Sequence, residues 1–116
     1  MMAWLIRAAC PRPADSPEPL PSEVALKSAV WLPKLAGVLS GFGAPAAAVT
    51  LGRTIVVHPS VQITPELVRH ELAHVRQWQQ EHWLFPVRYA WNHIRYGYHD
   101  NPYEVAARAA ETRSSA

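Results

Sequence analysis

The most regular pattern of apolar and polar residues in the chain lies between residues 64 and 81. Thr64-Pro65-Glu66 has the form of a helix start: an N-capping hydroxyl, a proline at the first helical position and an acid in the first turn. Val68, Leu72 and Val75 then recur at helical spacing and form one apolar stripe. The pattern predicts a helix from Pro65 to about Glu81 that packs on the core with this stripe.

Two short β-rich segments precede this helix. The stronger signal is Thr54-Ile55-Val56-Val57-His58, which stops at Pro59. We expect a hairpin or two adjacent strands over Ala46–Leu51 and Arg53–His58, separated by Gly52. Two roles are open for the second strand: an ordinary buried strand, or an edge strand that pairs with an extended peptide.

Two further helices are predicted after residue 85. Pro86 can open the first, which runs to about Tyr96 and is closed by Gly97. Asn101-Pro102 opens the second, which runs to about Thr112. The first of the two has four apolar residues on one face: Val87, Ala90, Trp91 and Ile94.

The N-terminal half contains a proline-rich segment followed by an apolar segment. Residues 11–21 hold too many prolines for a helix or a central strand, so they predict an extended arm, either disordered or laid over the surface. Ser22 has the form of an N-cap, and residues 24–39 predict a helix that is kinked or restarted at Pro33. This helix would either pack on the core or touch a membrane or partner. The prediction is therefore an arm, residues 1–21, and a single α+β domain, residues 22–116, mostly helical with a small sheet.

Composition and charge narrow the choice of function. A chain of 116 residues supplies one compact domain. A net charge of +2, with arginines and acids mixed along the helices, argues against nucleic-acid binding. The single cysteine, Cys10, excludes an intrachain disulfide, and no long uncharged apolar stretch predicts a transmembrane helix. With no convincing signal peptide either, we expect a cytoplasmic protein.

The chemistry of the chain is concentrated in His70-Glu71-Leu72-Ala73-His74. Residues four apart lie about 40° apart around a helix axis, so His70 and His74 can bind one metal ion from one face. Glu71 projects about 100° from His70, where a general base can take a proton from a water molecule on the metal. The alternative is a pair of solvent-facing histidines on a surface helix without metal.

A catalytic zinc ion needs a third protein ligand. We favour Glu104, because it lies one turn into the helix that begins at Asn101-Pro102. Glu104 could instead close a capping box with Asn101, which would explain the glutamate without a metal. The acidic and imidazole side chains considered are His82, His93, His99, Asp100, Glu104 and Glu111.

Taken together, His70 to His74 and Asn101-Pro102-Tyr103-Glu104-Val105-Ala106-Ala107 resemble the motifs of gluzincin metallopeptidases. The likeness is to the minimal, bacterial kind with a His-Glu-Leu-x-His-x-x-Gln helix, whose last letter is Gln77 here. It covers roughly residues 46–110. It implies a zincin-like fold, one zinc ion held by His70, His74 and Glu104, and Glu71 as general base in the hydrolysis of a peptide or protein substrate. The small Ala107 would let the two helices approach closely.

One position departs from the family pattern. Many gluzincins have an aspartate four residues after the glutamate ligand, where it supports a helix histidine, and this chain has Arg108. Support would then come from Asp100, from Glu111 or from a backbone carbonyl, and its loss typically weakens metal affinity or activity about 10–100-fold. The rival interpretation is therefore a zinc-binding interaction or regulatory module with little catalysis, in which the N-terminal arm could block the cleft. For the peptidase, the side chains considered as oxyanion donors are Tyr96, Tyr98, His99 and Tyr103.

Overall fold

The computed structural model of the protein describes residues 12–29 and 48–113. Within these ranges the chain is a small α+β fold, as the sequence predicts. No helix in them has the length and apolar character that spanning a membrane requires. The elements are β1 (Arg12–Pro13), β2 (Ala25–Ser28), β3 (Ala48–Leu51), β4 (Thr54–Val57), α1 (Pro65–Glu81), α2 (Leu84–Asp100) and α3 (Pro102–Ala110).

The strands form one mixed sheet in the order β1-β2-β4-β3. β4 pairs parallel with β2 and antiparallel with β3, so that Ile55 lies between Leu26 and Thr50. Its apolar residues Ile55, Val56 and Val57 are almost fully buried. The edge-strand alternative for β4 is therefore wrong, because strands cover it on both sides. Among the described strands, β3 is the outer one on the side of α1.

The β3–β4 hairpin confirms the prediction made from residues 46–58. Its tight turn contains Gly52, whose φ of +64° is a conformation that glycine adopts without steric cost. The strands are shorter than expected, and residues 46 and 47 lie outside the described ranges.

The helix predicted to start at Ser22 is wrong for the residues that the structure describes. Ala25–Ser28 is a strand, flanked by hydrogen bonds from Ala25 N to Arg53 O at 3.0 Å and from Ala29 N to Val57 O at 3.1 Å. Pairing with β4 satisfies the backbone and buries Leu26 in the core. An apolar segment this short does not distinguish a strand from a helix by its pattern. The remainder of the predicted helix, including Pro33, lies outside the described residues.

The described part of the N-terminal arm lies on the surface of the domain. Arg12 and Pro13 pair with β2, and Ala14 N donates to Leu26 O at 3.0 Å. Ala14 and Leu20 pack against the core residues. The carboxylate of Glu18 forms an ion pair with the guanidinium of Arg69. Of the two arrangements expected for the arm, these residues adopt the ordered one.

Helix α1 begins and ends where the sequence predicts. The Thr64 hydroxyl accepts a hydrogen bond from Leu67 N at 3.1 Å, and the helix ends at Glu81. His82 follows with a φ of +54°, and its N–H donates to Trp78 O at 2.7 Å. Val68 and Val75 are buried, so the predicted stripe packs on the core.

Helix α2 is longer than predicted and presents a different face. It begins at Leu84, two residues before Pro86. Pro86 is tolerated there because it lies in the first turn, where the N–H groups have no partner within the helix. Gly97 leaves the helical conformation as expected, with φ +80°, and a further short turn runs to Asp100. The side chain that α2 buries is Phe85. The apolar face seen in the sequence points to solvent instead, with Val87, Trp91 and Ile94 exposed.

Helix α3 packs closely against α1. Asn101 caps it as predicted, since its side-chain oxygen accepts from Tyr103 N at 3.0 Å. Ala107 is fully buried and packs with Ala73 and Ala110. These small side chains allow the close approach of the two helices that brings Glu104 to the histidines of α1.

Candidate metal centre

A cleft of about 700 Å³ lies between the outer strand β3 and the three helices. His70, Glu71, His74 and Glu104 all line it. One potential ligand atom from each of His70, Glu71 and His74 falls within 4.8 Å of the others, a grouping that could hold a metal ion. The motif helix thus presents its polar residues to a concave site.

The two histidines converge on a single oxygen of Glu104. Oε1 of this carboxylate lies 2.9 Å from Nε2 of His70 and 3.1 Å from Nε2 of His74. The Glu104 side chain is 5% exposed, so this contact is sheltered from water. Helix spacing alone places the histidines on one face, and the packing of α3 on α1 adds the carboxylate.

The second ring nitrogen of each histidine, Nδ1, contacts a side-chain oxygen that fixes the orientation of the ring. Nδ1 of His70 lies 3.0 Å from Oε2 of Glu111, and Nδ1 of His74 lies 2.8 Å from Oε1 of Gln77. The Gln77 amide nitrogen donates to the carbonyl of Tyr103 at 3.1 Å, which turns the amide oxygen towards His74. Both Nδ1 atoms therefore carry a proton, and Nε2 is the atom of each ring directed to the centre of the site.

This arrangement fits a cation at the position between the rings. Oxygen acceptors face both nitrogens of His70 and of His74. Without a metal, each ring must be doubly protonated to satisfy them, whereas a metal ion could replace the two central protons. Burial opposes protonation of His70, but hydrogen bonds to Glu104 and Glu111 and the charge of Glu71 outweigh it and raise its pKa to about 9. The pKa of His74 is raised in the same way, against burial, chiefly by Glu104.

Glu104 acts as a partner of the histidines and not as a helix cap. A capping box would join its carboxylate to the N–H of Asn101, but that N–H donates to Tyr98 O at 3.4 Å. Burial by itself would raise the pKa of Glu104, but hydrogen bonds from His70, His74 and Tyr89 hold it well below the usual range. The carboxylate is thus ionised and available as a ligand.

Glu71 lies beside this cluster and is held by the sheet. The hydroxyl of Thr50, on strand β3, donates to Oε2 of Glu71 at 2.7 Å. Both side chains are buried, yet both line the cleft. Glu71 is therefore positioned next to the histidines with one oxygen engaged, as a general base beside a metal would be.

Tyr89 is a site residue that the sequence did not indicate. Its hydroxyl donates to Oε2 of Glu104 at 2.5 Å, and its ring lines the cleft. Burial and the Glu104 charge raise the Tyr89 pKa, so the hydroxyl stays protonated as a donor. The available signal was the four-residue spacing from Phe85, which places both rings on the inner face of α2.

The structure separates the four side chains that the sequence offered as oxyanion donors. Tyr98 lines the cleft, and burial together with the charges of Glu104 and Glu71 raises its pKa to about 12. The Tyr103 hydroxyl donates instead to Glu81 at 3.0 Å. Tyr96 and His99 are exposed on the far part of α2, where the Arg95 guanidinium lies over the Tyr96 ring. Neither they nor Tyr103 line the cleft.

The structure also gives the positions of the other acids and histidines that the sequence offered as ligands or supporting groups. Glu111 supports His70 from Nδ1, so it fills the role that Arg108 leaves open, and Asp100 is exposed. Arg108 itself donates to the carbonyl of His99. His82 is exposed at the end of α1, and the ring of His93 stacks on that of Tyr89, with 6.4 Å between centroids.

The protonated site predicts a stability that depends on pH in the metal-free protein. His70 has a raised pKa, so its contribution is complete below about pH 6.5 and is lost as the pH rises through about 9. Glu104 has a lowered pKa, so its contribution is complete above about pH 4.5 and is lost in acid. Urea unfolding in the presence of a chelator should therefore show maximum stability at about pH 4.5–6.5, and a loss of a few kcal/mol by about pH 9.

The matched variants for this measurement are His70→Gln and His99→Gln. The alkaline loss of stability should shrink in His70→Gln and persist in His99→Gln, since His99 is exposed and outside the cluster. A free energy of unfolding that increases from about pH 6.5 to about pH 9 in the metal-free protein would contradict the prediction.

A comparison with family models finds a match to part of the chain. The model of the eCIS core domain matches residues 43–82, about a third of the sequence. The matched range contains the β3–β4 hairpin and α1 with His70, Glu71 and His74, and it stops before the helices that carry Tyr89 and Glu104. No curated protein and no solved structure matches the chain.

Proposed function

We propose that the protein is a zinc-dependent peptidase of gluzincin type, with a zincin-like arrangement of its motif helix, sheet and glutamate helix. The observation that carries the proposal is the convergence of His70 Nε2 and His74 Nε2 on one oxygen of Glu104, at 2.9 and 3.1 Å, beside the buried carboxylate of Glu71. Two imidazoles and a carboxylate are the protein ligands of one class of catalytic zinc site, which keeps a further position open.

The ion would be held by His70, His74 and Glu104, with Glu111 and Gln77 fixing the histidine rings. When bound, zinc polarises a carbonyl group and lowers the pKa of a water molecule to about 7. This donor set suits zinc better than calcium or magnesium, which prefer oxygen ligands alone.

The side chains around this position support hydrolysis of an amide bond. Glu71 would take the proton of the attacking water and pass it to the leaving amine, while Thr50 keeps the carboxylate oriented. Tyr98 lines the cleft, and its hydroxyl stays protonated at neutral pH, so it would donate to the oxygen of the tetrahedral intermediate, whereas the Tyr89 hydroxyl already donates to Glu104.

The outer strand supports an extended peptide as substrate. β3 pairs with β4 along one side, and residues 48–51 line the cleft. The Thr50 carbonyl already accepts from Nε1 of Trp78 at 3.0 Å, and a peptide laid along β3 could hydrogen-bond to other groups of the strand backbone and bring a peptide bond to the site. Peptide pairing was one of the two roles that the sequence left open for the neighbouring strand β4.

The regulatory-module alternative receives less support. Its main argument was Arg108, but Glu111 supplies a carboxylate to His70 at 3.0 Å. In the described part of the arm, residues 12–21, no side chain lines the cleft.

Metal analysis and a peptide screen test the proposal together. Purified full-length protein supplied with zinc should contain about one zinc ion per chain by mass spectrometry, and His70→Ala and His74→Ala should lose it. His99→Ala, which removes an exposed histidine outside the cluster, is the matched control and should keep the metal.

The same zinc-loaded protein should cleave members of a broad peptide library. Absence of zinc from the wild type would overturn both the peptidase and the zinc-binding module. Stoichiometric zinc without cleavage of any peptide would overturn the peptidase and favour the module.

A further inference from the structure

The solvent-facing side of α2 carries a set of large apolar side chains that the proposed function does not use. We call it the α2 surface, and its exposed fractions run from 55% for Leu84 to 80% for Trp83. Isolated exposed apolar residues are common, but a contiguous group of large ones marks a binding surface. Its members are Trp83, Leu84, Val87, Trp91 and Ile94.

The spacing of these residues shows that they form one face. Leu84, Val87, Trp91 and Ile94 are separated by three, four and three positions, which places them in a line along the helix. Phe85 and Tyr89 occupy the opposite side and line the cleft. One face of α2 therefore contacts the core and the candidate metal centre, and the second, apolar face is exposed.

The surface continues beyond the helix onto the β3–β4 hairpin. Leu51 is 45% exposed, and Leu51, Arg53 and Trp83 line one hollow beside the turn. The Trp83 ring packs edge-on against Trp78, with 5.9 Å between centroids, which holds it in place. The exposed apolar residues thus extend from the helix to the hairpin turn.

Cationic side chains outnumber acids along α2. Residues 82–99 contain Arg88 and Arg95 and no aspartate or glutamate. Arg88 forms an ion pair with Glu81 of α1, which offsets its charge, and the Arg95 guanidinium lies 5.2 Å from the centre of the Tyr96 ring. Arg53 beside Trp83 and Arg95 beside Ile94 therefore place a cationic side chain at either end of the apolar group, and an anionic partner complements them.

We infer that the α2 surface binds an anionic lipid bilayer. A helix with tryptophan and aliphatic side chains on one face, bordered by arginine, lies in the interface of a bilayer without crossing it. The tryptophan rings would sit at the level of the headgroups, and the arginines would contact lipid phosphates.

A second copy of the chain fits this surface less well. In a pair of α2 helices from two copies, Arg53 and Arg95 of both copies would border the shared apolar contact, whereas Arg88 is already paired with Glu81. Hydrophobic pairing would then bring like charges together in a low-dielectric contact. A bilayer of anionic lipids avoids this repulsion and accepts both the apolar and the cationic groups.

Vesicle co-sedimentation of the full chain tests the inference. Binding to vesicles of phosphatidylcholine and phosphatidylglycerol should exceed binding to phosphatidylcholine alone by at least about tenfold, and should weaken with salt. Trp91→Gln combined with Ile94→Gln should lower the partition coefficient by at least about tenfold. Arg95→Gln should lower it by about fivefold.

The matched control is Val105→Gln on α3, which removes an exposed apolar side chain outside the α2 surface and should leave binding unchanged. Glu71→Gln should bind vesicles like the wild type, which separates this inference from the proposed peptidase. Circular dichroism checks that each variant is folded. The inference is overturned if the wild type does not bind anionic vesicles or if the double variant binds equally. It is also overturned if light scattering shows a dimer that the double variant dissociates.

Discussion

Replacement of Glu71 by glutamine is expected to lower peptide hydrolysis by about 10²–10⁴-fold while the protein still binds one zinc ion per chain. Glutamine keeps the size of the side chain and can still accept the hydrogen bond that Thr50 donates at 2.7 Å. It cannot accept a proton from the attacking water. The proposed ligands His70, His74 and Glu104 are unchanged, so the metal content separates the loss of a base from the loss of the site. The measurement is kcat/KM on a cleaved library peptide, with zinc measured in the same samples.

Glu66→Gln is the matched control for this variant. Glu66 is an exposed acid on the same helix that also lines the cleft, so its replacement removes the same charge without touching the cluster. Activity close to that of the wild type is expected. Hydrolysis by zinc-loaded Glu71→Gln at the wild-type rate would show that another group takes the proton.

Glu104→Ala is expected to weaken zinc binding more than replacement of a residue that only supports a ligand. Loss of a supporting group typically costs about 10–100-fold in metal affinity, so Glu111→Gln should fall in this range and Glu104→Ala beyond it. The reason is that Glu104 contacts both histidine Nε2 atoms directly, whereas Glu111 contacts Nδ1 of His70. Competition with a chromogenic chelator gives the affinities.

Asn101→Ala distinguishes a metal ligand from a helix cap in this experiment. It removes the hydrogen bond that Tyr103 N donates to the cap and the one that the Asn101 amide donates to Tyr89 O at 3.2 Å. A lost cap typically costs about 0.5–2 kcal/mol of stability, and the carbonyl left without its donor adds to this cost. We expect a lower melting temperature and stoichiometric zinc. Equal zinc affinity in Glu104→Ala and the wild type would instead assign the third ligand to a different residue.

Local signals account for the parts of the fold that the sequence predicts well. Thr64 and Asn101 fix the starts of α1 and α3 through their own side-chain hydrogen bonds, and Gly52 fixes the hairpin turn through its backbone. These features depend on a few adjacent residues. β2 and the inward face of α2 depend on distant partners instead: β2 on its pairing with β4, and α2 on the packing of Phe85 against aromatic rings such as Trp78.

The same distinction applies to the candidate site. His70, Glu71 and His74 follow from spacing within one helix, and Glu104 from the need for a third ligand beside a recognisable helix start. Thr50 and Tyr89 could not be inferred in this way, because they approach from a strand and from a separate helix. Glu111 was one of two acids considered for the support of His70. Its distance of 3.0 Å to Nδ1 depends on how α3 packs on α1.

Arg69 connects distant parts of the chain beside the first histidine. Its guanidinium binds the carboxylate of Glu18 and donates to the carbonyl of Glu111 at 2.9 Å. During synthesis on a ribosome, the proposed ligand set cannot form until residue 104 has emerged, and this junction cannot form until residue 111 has emerged. Before these stages the histidines lack first Glu104 and then the support of Glu111. Any metal that binds to the growing chain is therefore held by fewer groups, and the final site is assembled after the sheet and α1 are available to fold.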